Sequence, residues 1–89
     1  MASFYPHLYQ AALTLLIDAR SKAGLSQAEL AERFDQPEAL ISSYEEGDRL
    51  LDPAEFIALC RAIGVDPYTL LHRAEKASGG PAEEDPPRG

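Results

Sequence analysis

The stretch from Leu25 to Gly47 constrains the fold of this chain most, because it predicts two short amphipathic helices joined by a tight turn. Ser26 and Glu29 form an S-x-x-E pattern, in which each side chain can bond the backbone N–H of the other residue at a helix start. Apolar residues then recur at spacings of three and four, which line one face of a helix. These inward-facing residues are Leu30, Ala31 and Phe34 in the first helix, and Leu40, Ile41 and Tyr44 in the second.

The turn between these helices is marked by Asp35, Gln36 and Pro37, which break the apolar pattern. Asp35 and Gln36 can cap the following helix, and proline suits a first helical position because its missing N–H costs nothing there. We therefore expect the second helix over residues 37–46, followed by a left-handed glycine at Gly47. Its outward face carries Glu38, Ala39, Ser42, Ser43 and Glu46.

Three further helices are predicted from apolar periodicity and from start and stop residues. The first runs from Pro6 or His7 to Ala23, and two more follow the Asp-Pro pairs at 52–53 and 66–67 and end near residues 63 and 77. Apart from proline, residues 78–89 contain no apolar residue larger than alanine, so we expect a disordered acidic tail there. The chain is thus predicted to be all-α, with a compact five-helix domain at 1–77 that contains the helix pair at 26–46.

The bulk properties exclude several classes of protein. No apolar run is long enough to span a bilayer, and the first residues lack the pattern of a signal peptide, so we expect a soluble, cytoplasmic protein. The lone cysteine, Cys60, has apolar neighbours and is expected to be a buried small hydrophobe. His7 and His72 lie far apart, and no nucleophile or phosphate-loop motif is present. We therefore expect no enzyme activity, no metal and no other cofactor.

Three segments follow a recognisable frame: Arg20-x3-Gly24-Leu25-Ser26-Gln27-x2-Leu30-Ala31, Ile41-Ser42-x-Tyr44-Glu45-x-Gly47 and Leu59-x3-Ile63-Gly64-Val65. In this frame the chain resembles the Cro/phage-repressor type of helix-turn-helix protein, also called the xenobiotic-response-element (XRE) family. The resemblance covers about residues 13–72 and implies a repressor-like domain. It also implies a partly buried, structural ion pair between Arg20 and Glu45, which would tie the first helix to the third.

The same resemblance implies that helix 37–46 enters the major groove of double-stranded DNA. Glu38 would then accept a hydrogen bond from a cytosine amino group, and Ala39 would contact a thymine methyl group. The candidate base-reading residues are Glu38, Ala39, Ser42 and Ser43. The candidate phosphate-contacting residues are Ser26, Gln27, Lys22, Arg33 and Arg49.

The charge of the chain departs from this family pattern. Residues 1–76 hold 7 basic and 12 acidic residues, and residues 35–55 hold seven acidic residues against Arg49 alone. Because lysine and arginine supply most non-specific affinity for DNA, we expect weak, salt-sensitive binding.

Three interpretations of function follow from the frame and the charge. The chain is a sequence-specific transcriptional regulator, or an acidic protein-interaction module that docks a basic surface of a regulator or polymerase. In the third interpretation the acidic surface serves only solubility, and cations at the rim bind DNA. We favour the first interpretation, because the helix-turn-helix frame is intact.

A homodimer is expected if DNA is read, since one such helix covers only a half-site. The apolar stripe of the first helix is broad, so Tyr9, Leu13 or Ile17 could face a partner subunit or pack on the last helix. The last helix offers the second candidate surface, at Tyr68, Leu71 and His72.

Overall fold

Five helices account for the regular structure of residues 5–79, the part of the chain that this computed structural model describes. In chain order they are α1 (Pro6–Lys22), α2 (Gln27–Phe34), α3 (Glu38–Glu46), α4 (Pro53–Ile63) and α5 (Pro67–Ala77). No strand occurs in this range, so the all-α prediction is confirmed. The predicted tail lies outside the described residues from position 80 onward, as does the start of the chain at 1–4.

Side-chain caps set the starts of three helices. Glu29 N–H donates to Ser26 Oγ at 3.0 Å and Ser26 N–H donates to the Glu29 carboxylate at 2.8 Å, which completes the capping box of α2. Asp52 and Glu55 form the same reciprocal pair at α4, and Asp66 accepts from Thr69 N–H at α5. Hydrogen bonds from backbone N–H groups lower the pKa of Glu29, Glu55 and Asp66, because they stabilise the charged carboxylates.

The turn between α2 and α3 differs from the prediction. Pro37 precedes α3 with extended backbone (ψ 148°), and no side chain caps this helix. Asp35, which we expected to cap α3, instead ends α2 in the left-handed region with φ 59°. An aspartate tolerates this conformation, and the residue before a proline, Gln36, is biased away from helix. The chain therefore leaves α2 sharply and enters α3 only at Glu38.

The core lies where α1 packs on α5 and α2 packs on α3, with α4 filling the space between the two pairs. Leu13 is only 3% exposed, although the sequence left open whether it faces a partner. Its side chain is therefore buried within the described fold. The largest fully buried side chains are Tyr44, Leu30, Ile41, Leu59, Pro67 and Cys60.

Cys60 is fully buried, and its burial raises the pKa of the thiol to about 11. A thiol of this kind is unreactive, in agreement with the role expected from the sequence. Within residues 5–79, no helix combines the length and the apolar character needed to cross a membrane.

Candidate nucleic-acid interface

Helix α3 has one face in the core and one face turned to solvent. Ile41 and Tyr44 are each 1% exposed and anchor the inner face. On the opposite side, Glu38, Ala39 and Glu46 are exposed and the two serines are half-buried. We call this outward set the recognition face of α3: Glu38, Ala39, Ser42, Ser43 and Glu46.

Arg20 and Glu45 tie α3 to α1. Arg20 Nε lies 2.6 Å from Glu45 Oε2, and Nη2 donates to Oε1 at 2.9 Å, so the pair is bidentate. Arg20 Nη1 also donates to the Leu25 carbonyl at 2.7 Å. The side chains are 15% and 12% exposed. This partly buried pair fixes the position of α3 before any ligand binds.

Gln27 extends the ion pair into a hydrogen-bond network that ends on α3. Its side-chain nitrogen donates to Glu45 Oε1 at 2.8 Å, and its side-chain oxygen accepts from the Ser42 hydroxyl at 2.9 Å. Glu45 accepts only, so the amide nitrogen must face it and the amide oxygen must face Ser42. The first residue of α2 is thereby joined to the middle of α3.

Ser43 makes its hydrogen bond within α3, whereas Ser42 bonds a side chain of α2. Its hydroxyl donates to the Ala39 carbonyl one turn earlier in the same helix, at 2.8 Å. This back-bonding is common for serine within helices and keeps the hydroxyl close to its own backbone.

The candidate phosphate contacts begin at the N-terminus of α2. The Ser26 oxygen is occupied by its cap, and helix geometry leaves the N–H groups of Gln27 and Ala28 without an acceptor inside the helix. Such N–H groups and the positive end of the helix dipole together form a site that favours anions.

The three candidate cations, Lys22, Arg33 and Arg49, all have partners in the chain. Lys22 lies 3.0 Å from Asp18 on α1. Arg33 donates to the Ala62 carbonyl at the end of α4, at 3.1 Å. Arg49 follows α3, with its guanidinium carbon 5.9 Å from the centre of the Tyr44 ring. No lysine or arginine belongs to α3 itself.

Tyr44 and Glu55 form a cluster with Arg49 that the sequence did not indicate. Arg49 Nη2 lies 3.7 Å from Glu55 Oε2. The Tyr44 hydroxyl is fully buried and makes no hydrogen bond of ordinary geometry within the described range. Burial, and then the neighbouring Glu55 carboxylate, raise the pKa of Tyr44 to about 12. Arg49 thus shares its charge with Glu55, while its side chain stays 58% exposed.

An apolar groove of about 340 Å³ lies away from the α2–α3 pair. None of the residues that line it belongs to α2 or α3, so a molecule in the groove would leave the recognition face open. Ile57 and Leu71 on its rim are 37% and 40% exposed. Its walls include Leu8, Leu13, Leu51 and Phe56.

No group of three histidine, cysteine, aspartate or glutamate side chains in residues 5–79 comes close enough to hold a metal ion. His7 lies at the start of α1 and His72 in α5, and both are exposed.

Two of the comparisons with known proteins found matches. A family model described as helix-turn-helix matches residues 16–70. Among solved structures, an XRE-family like protein from Pseudomonas syringae pv. tomato str. DC3000 is similar, with 49% sequence identity and a TM-score of 0.75. That match covers 78% of this chain and 84% of the other chain. None of the curated proteins matches.

Proposed function

Because this chain belongs to the Cro/phage-repressor-type (XRE) family of helix-turn-helix proteins, we propose that it is a sequence-specific transcriptional regulator that binds double-stranded DNA. The observation that carries the proposal is the fixed outward face of α3. The Arg20–Glu45 pair and Gln27 hold the helix against α1 and α2, while its opposite face stays open to solvent. A rigid, solvent-facing helix beside a second helix N-terminus is what docking in a major groove requires.

In the proposed complex, the early residues of α3 contact base edges. Glu38 and Ala39 lie in its first turn and are exposed, so they meet the groove floor first. Glu38 accepts from a cytosine amino group, and Ala39 contacts a thymine methyl group. Ser42 and Ser43 lie one turn further along, at the edge of the same contact.

The start of α2 holds the DNA backbone. The N–H groups of Gln27 and Ala28 and the hydroxyl of Ser26 face one phosphate, as helix N-termini do in many complexes with DNA. Lys22, Arg33 and Arg49 add charge from the rim. Each of these cations already contacts a partner within the chain, which reduces the net gain from a phosphate contact. We therefore expect non-specific affinity to be low and to be lost readily as salt rises.

A homodimer is part of the proposal, since a single α3 covers only one half-site. The surface we assign to it is the exposed apolar side of α4 and α5, where Ile57, Tyr68 and Leu71 lie. This surface continues into the apolar groove and avoids α2 and α3. As part of the same proposal, the protein acts by binding rather than by catalysis and works in the cytoplasm.

A second function is favoured by one specific observation, the charge of the recognition face. Glu38 and Glu46 are exposed on it, and no cation lies among its five residues. A basic surface of another regulator or of polymerase would complement this face better than phosphate does. The same helix would then dock protein and bind little DNA.

Selection of bound duplexes from a random DNA pool, at low and at near-physiological salt, tests the proposed function. We expect a motif with two-fold symmetry that persists at the higher salt. Glu38→Ala should relax the motif at one base pair, while Glu32→Ala, which removes the same charge from an exposed site on α2, should leave it intact. No enrichment at either salt would contradict DNA binding and favour the protein-docking alternative.

A further inference from the structure

We propose that the side chains on the recognition face of α3 bind bases as hydrogen-bond acceptors only. The DNA site is then selected through the amino groups of cytosine and adenine rather than through guanine. This inference rests on the proposed function and specifies the chemistry of the sequence that α3 reads. It follows from the hydrogen bonds that the Ser42 and Ser43 hydroxyls already donate within the protein.

Ser42 has no hydrogen left for a base. Its hydroxyl carries a single hydrogen, which is donated to Gln27 Oε1 at 2.9 Å. Gln27 cannot turn its amide around to release that hydrogen, because its nitrogen is held by Glu45 Oε1 at 2.8 Å. Glu45 is itself fixed by the bidentate contact with Arg20. Ser42 therefore presents lone pairs to the groove.

The Ser43 hydroxyl also donates its hydrogen within the protein, in this case to its own helix. Its hydrogen is donated to the Ala39 carbonyl at 2.8 Å, within the helix. The half-buried hydroxyl again offers only its lone pairs to a base edge.

The remaining side chains of the face add no donor. Glu38 and Glu46 are carboxylates, which accept only, and Ala39 is a methyl group. All five residues of the recognition face are thus acceptors or apolar.

The four bases differ in the donors and acceptors that they present to such a face in the major groove. Guanine presents two acceptors, N7 and O6, which would lie against carboxylate and hydroxyl oxygens with no hydrogen between them. Cytosine presents its N4 amino group and adenine its N6 amino group, and both donate. Thymine adds a methyl group that Ala39 can contact. The contacted groups should therefore be the amino groups of cytosine and adenine and the methyl group of thymine, with guanine present only as the pairing partner of a contacted cytosine.

Base analogues placed one at a time in the selected duplex separate amino-group contacts from N7 contacts. Replacing a contacted adenine by purine, or cytosine by 2-pyrimidinone, removes the amino group and should weaken binding about tenfold. Replacing the purines of the same pairs by their 7-deaza forms removes only the N7 acceptor and should change affinity by less than about twofold. The same replacements outside the site control for the weaker pairing of the analogues.

Glu38→Gln supplies the matched protein variant, because it keeps the shape of an exposed side chain and adds a donor. With both a donor and an acceptor, the amide should shift the preferred base toward adenine and make binding sensitive to 7-deazaadenine. Ser43→Ala removes an acceptor without adding a donor, and should only relax the preference at one pair.

Two results overturn the inference while leaving the proposed function standing. One is a selected motif that places guanine against α3. The other is a loss on 7-deaza substitution in the wild type as large as the loss on amino-group removal. Either result would assign a donor to the interface, such as the side-chain amide of Gln36 in the preceding turn. Absence of any motif would instead overturn the proposed function and this inference with it.

Discussion

Glu45 belongs to the helix proposed to read DNA, yet both of its carboxylate oxygens are bound by Arg20 of α1, at 2.6 Å and 2.9 Å. The contact crosses 25 residues of sequence and lies at the side of the domain where α2 begins. Because Glu45 also accepts from Gln27, one carboxylate sets the relative positions of three helices. The position of α3 and the orientation of the Ser42 hydroxyl both depend on it.

Removing one partner of this pair should destabilise the domain strongly. Arg20→Ala or Glu45→Ala leaves a largely buried charge without its counter-charge, and should lower the free energy of unfolding by about 3 kcal/mol. The double variant should lose less than the sum of the two single losses. Lys22→Ala breaks the exposed contact with Asp18 and should cost less than about 0.5 kcal/mol. Urea unfolding measures all four, and equal losses in Arg20→Ala and Lys22→Ala would show that the buried pair is not special.

Ser42→Ala and Ser43→Ala should differ in stability, although they remove the same group from adjacent residues. Ser42 bonds the Gln27 side chain across two helices, so its loss should cost about 1 kcal/mol. Ser43 bonds its own helix, in a contact that slightly opposes helix geometry, so its loss should fall within about 0.5 kcal/mol of zero. The urea midpoints of the two variants, measured under the same conditions, compare these stabilities. A larger loss of stability in Ser43→Ala than in Ser42→Ala would contradict the hydrogen-bond network of Ser42 and Gln27.

The sequence predicted the fold because the relevant signals are local. The capping pair Ser26 and Glu29, the Asp-Pro starts of α4 and α5 and the apolar spacing of α3 each act within one or two turns of helix. The αL conformation of Asp35 was missed because a non-glycine residue in that region depends on how the chain must bend between two packed helices.

The candidate site was predicted less completely, since its main contacts join residues that are distant in sequence. Ser42 is a candidate base-reading residue, and its hydrogen bond to Gln27 was missed because it spans 15 residues and has no spacing signature. The contact of Arg33 with Ala62 and the cluster of Arg49, Tyr44 and Glu55 were missed for the same reason. The negative charge of the site could be predicted from the sequence, because the acidic excess near α3 is a property of composition.

Tyr44→Phe should be neutral or stabilising at neutral pH, because the buried hydroxyl has no hydrogen bond of ordinary geometry to lose. At high pH the free energies of unfolding of the wild type and Tyr44→Phe should diverge. The pKa of Tyr44 is raised from 10.0 to about 12, so the folded state resists an ionisation that the unfolded state allows. Wild-type stability that is present below pH 10.0 is therefore lost as the pH rises toward 12. Unfolding by urea at pH 8 to 11 should show a steeper decline for wild type than for Tyr44→Phe, and parallel curves would contradict the raised pKa.

Ser43→Lys should strengthen binding to all DNA sequences alike, because it places a cation on a face that has none. The slope of log affinity against log salt concentration should become steeper by about 1. Ala58→Lys adds the same charge to an exposed position on α4 and serves as the control, with little change in slope. Binding to a fixed duplex across a salt series tests the pair. Equal changes in the two variants would indicate a general charge effect, and no change in either would place α3 outside the interface.

The assignment of the dimer surface can be tested by a charge placed on the rim of the apolar groove. Leu71 is 40% exposed there, and an aspartate at this position would have to be desolvated between two subunits, so Leu71→Asp should dissociate the dimer. Ile57→Asp on the same rim should act alike. Ala58→Asp, on the adjacent exposed position of α4, adds the same charge outside the groove lining and should leave the dimer intact. Sedimentation equilibrium measures the mass of each variant, and circular dichroism checks that each remains folded. A wild-type chain that sediments as a monomer even with its selected duplex would contradict the dimer, whereas a dimer that persists in folded Leu71→Asp would move the interface to another surface.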